Sequence, residues 1–288
     1  MDKKIGLKRI IISNMLIVLG ASILAIVIKS TLPADVNVED FDSTLVKLIG
    51  FPAVATLYFI VLYSHCVMVI QYFGKKSKLS KLQIGFRFGV VFALIYIFGM
   101  QEVVVEASPF DEWGFSFVKY QFFIGITDAL PAFLLCMASS YFTLNDGFSI
   151  KQKHLLSIMD KINIVIFVTL TFLIQRAIGY EIGFLDSNIS TFPVPTYLWT
   201  IIFGIILGLS YLYLYPIFSK EQDIFILPFK IVVLTIGVNW IVFNSFIGLI
   251  FDGVMVQMLF RTGIDILVFY LSVVIVHMWI VKVKNSTT

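Results

Sequence analysis

A small set of ionisable side chains lies inside or beside the long apolar runs of this 288-residue sequence. The set consists of Glu102, Glu106, Asp128, Arg176, Arg261 and Asp265. A charge near the centre of a bilayer costs about 3 kcal/mol on insertion scales, so such residues pair, face water or mark a route for ions. We therefore predict that they form a polar cluster that binds a small solute or an ion.

Asp128 stands in the segment GITDALP, close to Pro131 and Gly125. Proline lacks an N–H and crowds the carbonyl group four residues earlier, here that of Thr127. An acid beside an interrupted hydrogen-bond ladder is typical of the discontinuous helices that bind ions or substrates in transporters. The alternative is a kinked helix whose buried Asp128 is protonated or paired with an arginine, for which Arg176 is the natural partner.

Arg261 and Asp265 are four residues apart, so they share one helix face and can pair with each other. Such a pair would let the helix insert as a neutral unit. In a second interpretation, Asp265 and Asp128 line one cavity and Arg261 is the counter-charge. Arg176 either extends to the lipid headgroups or pairs with Asp128 or Glu181.

Glu102 and Glu106 have the same four-residue spacing at the end of another apolar run. Two carboxylates on one helix face can bind a cation. They can also belong to a solvated acidic mouth together with Asp111 and Glu112. Both interpretations place these acids at the entrance to the predicted cluster.

Uncharged residues in the apolar runs predict contacts between helices. Asn239 and Asn244 carry amides that need hydrogen-bond partners in a dry bilayer, and neighbouring helices supply such partners. The Gly-x-x-x-Gly spacings at 85–89 and 204–208 predict places where two helix backbones approach closely. The simplest role of all these residues is to hold the bundle together.

The elements that must position these residues are predicted to be eight transmembrane helices. Each apolar run reaches the roughly 20 residues that a helix needs to cross a hydrocarbon core of about 30 Å. The runs cover 10–28, 48–73, 84–105, 120–142, 162–180, 196–218, 228–251 and 260–281. Because the connections are short, residues 1–288 are predicted to form a single integral membrane domain without a soluble domain.

The composition excludes several classes of protein. The chain is 59% hydrophobic and 14% charged, with a mean hydropathy of +0.96, whereas soluble domains carry about 25% charged residues. A soluble enzyme, a disordered protein and a nucleic-acid binder are therefore excluded. The apolar runs are continuous rather than alternating, which also excludes a β-barrel. The predicted fold is an all-α polytopic membrane protein.

The distribution of charge predicts the orientation of the bundle. If the N-terminus is cytoplasmic, most of the 21 Lys and Arg residues fall on the cytoplasmic side and most acids on the other. This follows the positive-inside rule and places both termini in the cytoplasm. The stretch KKSKLSKLQIGFR at 75–87 is the strongest anchor. It can also contact anionic lipids, although its anchoring role alone accounts for it.

The sequence carries no signature of a catalytic centre. Its two cysteines and three histidines are too few and too scattered for a zinc site. The HExxH, GxSxG and Walker A motifs are absent. We therefore expect no cofactor and no metal, and a non-enzymatic role is favoured without being decided.

Three functions remain open at this stage. The first is a transporter of a small solute or an ion, with a polar site that opens to the extracytoplasmic side. The second is a non-catalytic regulatory, assembly or immunity subunit that acts through another membrane protein. The third is a membrane enzyme for lipid-linked substrates that uses an acid as its base. The abundance of Lys, Ile and Phe favours the cytoplasmic membrane of a bacterium.

Overall fold

A computed structural model describes residues 6–32, 41–102, 115–145, 156–218 and 223–286 of the chain. In these segments every regular element is a helix, and eight helices are long and apolar enough to cross a membrane. We number all helices in chain order: α1 (Leu7–Ser30), the short α2 (Thr44–Ile49), α3 (Phe51–Gly74), α4 (Lys81–Gly99), α5 (Phe115–Thr143), α6 (Ile158–Glu181), α7 (Pro193–Phe218), α8 (Ile226–Ile250) and α9 (Met255–Ser286).

The long helices confirm the prediction of eight apolar helices, and they indicate a multi-pass membrane protein. The orientation of the bundle stays a prediction. We call the end at which α4 finishes the Glu102 end, and the end at which α3 finishes the Lys75 end. The short helix α2 lies at the Glu102 end, where Ser43 Oγ donates a hydrogen bond to the carbonyl group of Leu249 on α8 at 2.7 Å.

Helix α4 ends at Gly99, whereas the predicted third span runs to residue 105, and its residues 103–105 lie outside the described part of the chain. The carbonyl group of Phe98 accepts hydrogen bonds from Trp199 Nε1 at 2.8 Å and from the amide of Gln101 at 3.3 Å. In a continuing α-helix this carbonyl would instead accept from the amide of Glu102. Glu102 therefore lies beyond a turn at the end of α4.

Small residues bring neighbouring helices close together, as the two Gly-x-x-x-Gly spacings predict. A Cβ atom on Gly85 of α4 would lie 2.1 Å from Ser140 Oγ and 2.9 Å from the backbone carbonyl of Cys136, both on α5. A Cβ atom on Gly208 of α7 would lie 2.9 Å from the Cα atom of Val165 on α6. Only glycine permits these two approaches, so the prediction is confirmed.

The irregular helical segments do not lie where the sequence predicts them. Helix α5 continues through Pro131 without an interruption, so the expected discontinuous helix at Asp128 is wrong. Prolines are tolerated in membrane helices because neighbouring groups satisfy the freed backbone, and Tyr63 OH donates to the carbonyl group of Asp128 at 3.3 Å. Instead, π-helical segments occur at Ile70–Gly74 in α3 and at Phe229–Gly237 in α8.

Candidate functional site

The centre of the candidate site is Arg176 on α6, whose guanidinium group binds two carboxylates. Its Nε and Nη2 atoms lie 2.9 and 2.5 Å from the two carboxylate oxygens of Asp265 on α9, which is a bidentate ion pair. The same Nη2 lies 2.5 Å from Oε1 of Glu102. The side chain of Arg176 is fully buried, and those of Glu102 and Asp265 are only 2–3% exposed.

Arg261 is the second cation of the network. Its Nε lies 3.2 Å from Oε1 of Glu102, the oxygen that Arg176 also contacts. The Arg261 side chain is 1% exposed, and its Nη2 lies 3.1 Å from Sδ of Met258 one turn earlier on α9. Two guanidinium groups and two carboxylates thus give a network whose formal charges balance. We call Arg176, Asp265, Glu102 and Arg261 the charge network.

Neutral polar side chains complete the hydrogen bonds of this network. Asn244 Nδ2 on α8 donates to Glu102 Oε2 at 3.4 Å and to Thr262 Oγ1 at 2.7 Å. Arg176 Nη1 donates to the hydroxyl group of Tyr180 at 3.2 Å. The sequence predicts that the amide of Asn244 needs a hydrogen-bond partner. Thr262 and Tyr180 carried no comparable signal, because both residue types are common in apolar helices.

Aromatic rings surround the guanidinium group of Arg176. Its carbon atom Cζ lies 5.3 Å from the ring centre of Phe172 and 5.4 Å from that of Trp199. Rings at this distance attract a cation through their quadrupole. They also exclude water, so that the electrostatic interactions of the network act in a medium of low dielectric constant.

A small cavity of about 20 Å³ borders the charge network. Its lining includes Glu102, Arg261 and Asn244 together with the aromatic rings of Phe243 and Phe246. A cavity needs roughly 10–15 Å³ of space accessible to the centre of a water molecule in order to hold one water molecule. The space beside Glu102 therefore suits one water molecule or one small ion, and it is too small for a larger solute in this conformation.

Asp128 belongs to a separate ion pair with Lys29 at the end of α1. Lys29 Nζ lies 2.8 Å from Asp128 Oδ1, and the Asp128 side chain is 1% exposed. The ammonium group also lies 4.9 Å from the ring centre of Phe59 and 6.0 Å from that of Phe246. Because Phe246 also lines the small cavity, its ring lies beside both the Lys29–Asp128 ion pair and the cavity at the charge network.

The structure corrects the partners that the sequence favoured. Arg176 does not extend to the headgroups, because it is fully buried, and its partners are Asp265 and Glu102 rather than Asp128 or Glu181. Asp128 and Asp265 have different ion-pair partners, Lys29 and Arg176 respectively. The reason is that partners depend on the rotation and neighbours of each helix, which apolar sequences leave unspecified.

The acids of the predicted mouth are only partly described. Glu102 is described, and it is buried in the charge network rather than solvated. Glu106, Asp111 and Glu112 lie outside the described residues. The predicted pair of Glu102 and Glu106 on one helix face therefore stays a prediction, now with Glu102 placed beyond the end of α4.

A second polar group lies deeper in the bundle, around Asn239 on α8. Tyr96 OH donates to Asn239 Oδ1 at 2.8 Å, and Asn239 Nδ2 lies 3.3 Å from Nδ1 of His65. The other ring nitrogen of His65 lies 3.1 Å from the carbonyl oxygen of Leu234 in the π-helical segment. This group is five residues from Asn244 along α8, which corresponds to about 7.5 Å.

No model of a known protein family, no curated protein and no solved structure matches the chain. Among the described residues, no group of three or more His, Cys, Asp and Glu side chains could hold a metal ion. In the residues that the structure describes, eight long apolar helices indicate a multi-pass membrane protein. Any finer function must be argued from the site itself.

Proposed function

We propose that the chain transports a small ion and that the charge network is its proton-binding site. The observation that carries this proposal is the burial of four ionisable side chains in one network inside a bundle of apolar helices. Ionisable residues within membrane spans commonly belong to ion pathways and proton relays.

Stability alone is a poor explanation for such a network. Replacing a buried ion pair by apolar residues of similar volume is often neutral or even stabilising, because two charges lose their hydration when they are buried. A bundle that needed only cohesion would be served by leucine or phenylalanine at these positions. The presence of two arginines and two acids therefore supports a role in which the charges change partners or protonation.

The composition of the network favours a proton over a metal cation. A metal cation beside Glu102 would also lie beside the guanidinium groups of Arg176 and Arg261, which repel it. A proton can instead bind to a carboxylate and weaken its hold on an arginine. Glu102 connects the two arginines, because one of its oxygens contacts both guanidinium groups.

The proposal is tested by proton flux in proteoliposomes that hold the full chain and the pH-sensitive dye pyranine. An imposed pH gradient should collapse faster than in empty liposomes, and Asp265→Asn should slow the collapse at least about tenfold, as for loss of an essential buried carboxylate. Asp186→Asn is the matched control, because Asp186 is an exposed acid outside the network. Equal rates for empty and loaded liposomes would overturn the proposal.

A second candidate function is that of a non-catalytic membrane subunit, and the position of α1 favours it. Only 28% of the apolar window of α1 is buried inside the protein, the lowest share among the eight long helices. An unpartnered helix face of this kind can dock on another membrane protein. Stable co-purification of a second membrane protein, together with normal behaviour of Asp265→Asn, would favour this candidate over transport.

A further inference from the structure

A large groove lies between α1 and α3, and none of its lining residues belongs to the charge network. Its volume is about 930 Å³, near the upper end of the roughly 300–1,000 Å³ that is usual for ligand sites. The walls are mainly apolar, and they include Ile11, Met15 and Met68. The floor carries a few polar side chains, among them Asn14 and Ser64. The groove therefore combines a long apolar surface with a small number of polar groups.

The length of the groove matches one leaflet of a bilayer. Its lining on α1 runs from Leu7 to Leu19, which corresponds to about 18 Å at 1.5 Å per residue. One leaflet of the hydrocarbon core is about 15 Å thick, half of the whole core. A transmembrane helix of a partner protein would need a contact about twice as long. The groove consequently fits a lipid molecule better than it fits a partner helix.

Basic side chains mark one end of the groove. Lys75 and Lys76 belong to its lining, directly after the π-helical segment that ends at Gly74. Both lysines are exposed, and Lys76 Nζ lies 3.9 Å from the ring centre of Tyr72, another lining residue. Positive charge at the boundary of an apolar groove is complementary to the phosphate of a lipid headgroup.

We propose that the groove between α1 and α3 binds one anionic phospholipid of the leaflet at the Lys75 end. Its acyl chains lie between the two helices, and its phosphate group lies against Lys75 and Lys76. π-helical segments are rare in proteins, and those that occur are frequently found at functional sites. The π-helical segment Ile70–Gly74 therefore supports this role. The proposal is independent of the charge network and of the proposed transport.

Native mass spectrometry of the full chain in detergent tests the proposal. The probes are phosphatidylglycerol and phosphatidylcholine with identical acyl chains, added in equal amounts. Phosphatidylglycerol should be retained preferentially, and the double variant Lys75→Gln/Lys76→Gln should reduce its retention at least about fivefold. The matched control is Lys8→Gln/Lys78→Gln, which removes the same charge from exposed lysines outside the groove lining. This control should retain the lipid.

A second variant tests the apolar part of the groove without changing its charged residues. Ser64→Leu narrows the groove while both lysines remain, and it should also lower the retention of phosphatidylglycerol. Equal retention of the two lipids, or equal losses in the two double variants, would overturn the proposal. So would normal retention in Ser64→Leu. A polypeptide that cross-links through Met68→Cys, instead of a bound lipid, would show that a partner protein occupies the groove.

Discussion

Glu102 is the residue on which the two arginines of the charge network converge. Its Oε1 atom lies 2.5 Å from Arg176 and 3.2 Å from Arg261. With Glu102 ionised, the network is neutral. Without its charge, two buried guanidinium groups share the single carboxylate of Asp265. The balance of the network therefore depends on the ionisation of one side chain.

The variant Glu102→Gln should lower the free energy of unfolding by about 3–5 kcal/mol, because it leaves a buried cation without compensation. In the double variant Glu102→Gln/Arg261→Gln the charges balance again, and part of this loss should be recovered. Thermal unfolding of the purified chain in detergent measures both values. The account would be contradicted if the double variant lost as much unfolding free energy as Glu102→Gln and Arg261→Gln lose together.

Lys29 should be essential for the burial of Asp128. Lys29→Met leaves the Asp128 carboxylate without its ion pair, and a loss of about 3–5 kcal/mol in unfolding free energy is expected. Lys8→Met at an exposed position of the same helix is the control, and it should change the value by less than about 0.5 kcal/mol. Indistinguishable melting curves for the two variants would contradict the assigned pair.

The sequence predicts which residues are unusual, but it does not predict their partners. Asp128, Arg176 and Asp265 stand out because charges are costly in a bilayer. Lys29, in contrast, looks like an ordinary flanking residue, since lysines are common at the ends of membrane helices. Its role becomes visible only when α1 is placed against α5, where its side chain reaches Asp128.

Among the elements, the pair of α4 and α5 shows how small residues position the site. Gly85 and Gly89 face α5, and Gly125 of α5 faces α4, where its Cβ atom would lie 2.9 Å from the Cα atom of Ile97. This close contact positions the end of α4 and hence the turn at residues 100–101 that precedes Glu102. The Gly-x-x-x-Gly spacing predicts the close approach at Gly85 and Gly89, but not the one at Gly125.

The substitution Gly85→Ala should destabilise the protein by about 1–3 kcal/mol, because the added Cβ atom would overlap Ser140 Oγ and the Cys136 carbonyl group. Gly20→Ala on α1 is the control, since its Cβ atom would meet nothing within 4 Å. The control should be neutral or stabilising by up to about 1 kcal/mol, owing to the higher helix propensity of alanine. Thermal unfolding in detergent measures the change in stability of both variants, and equal changes would contradict the assigned contact.

The π-helical segments could not be predicted from the sequence. An extra residue in a helical turn leaves the apolar pattern of a buried helix unchanged, so periodicity carries no signal for it. The structure shows the π-helical segment Phe229–Gly237. Within it, Thr235 Oγ1 donates a hydrogen bond to the carbonyl group of Lys230, five residues earlier, at 2.8 Å. Its Leu234 carbonyl oxygen faces His65.

At the scale of the whole molecule, the number of helices follows from length and hydropathy, while the orientation rests on charge alone. All eight predicted runs coincide with long apolar helices of the described structure. Hydropathy is this informative because a bilayer forces backbone groups to be satisfied within each helix. The positive-inside rule predicts which side of the membrane the Glu102 end faces.

Reporter fusions should confirm the predicted orientation. A fluorescent protein fused after Thr288 should fluoresce, because the C-terminus is predicted to be cytoplasmic, whereas alkaline phosphatase at that position should be inactive. Alkaline phosphatase fused after Asp186, in the loop between α6 and α7, should be active. The reverse pattern would place the charge network at the cytoplasmic face and contradict the assignment from charge.

The chain positions of the charge network have a consequence for biogenesis. Glu102 and Arg176 emerge from the ribosome well before Arg261 and Asp265, which belong to α9. Until α9 inserts, the nascent bundle holds an arginine whose bidentate acceptor has not yet been synthesised. Insertion of α9 adds one cation and one acid, so it leaves the formal charge of the interior unchanged and supplies the bidentate partner of Arg176. A chain truncated between Arg261 and Asp265 would therefore present one uncompensated cation inside the bilayer to the quality-control proteases of the membrane.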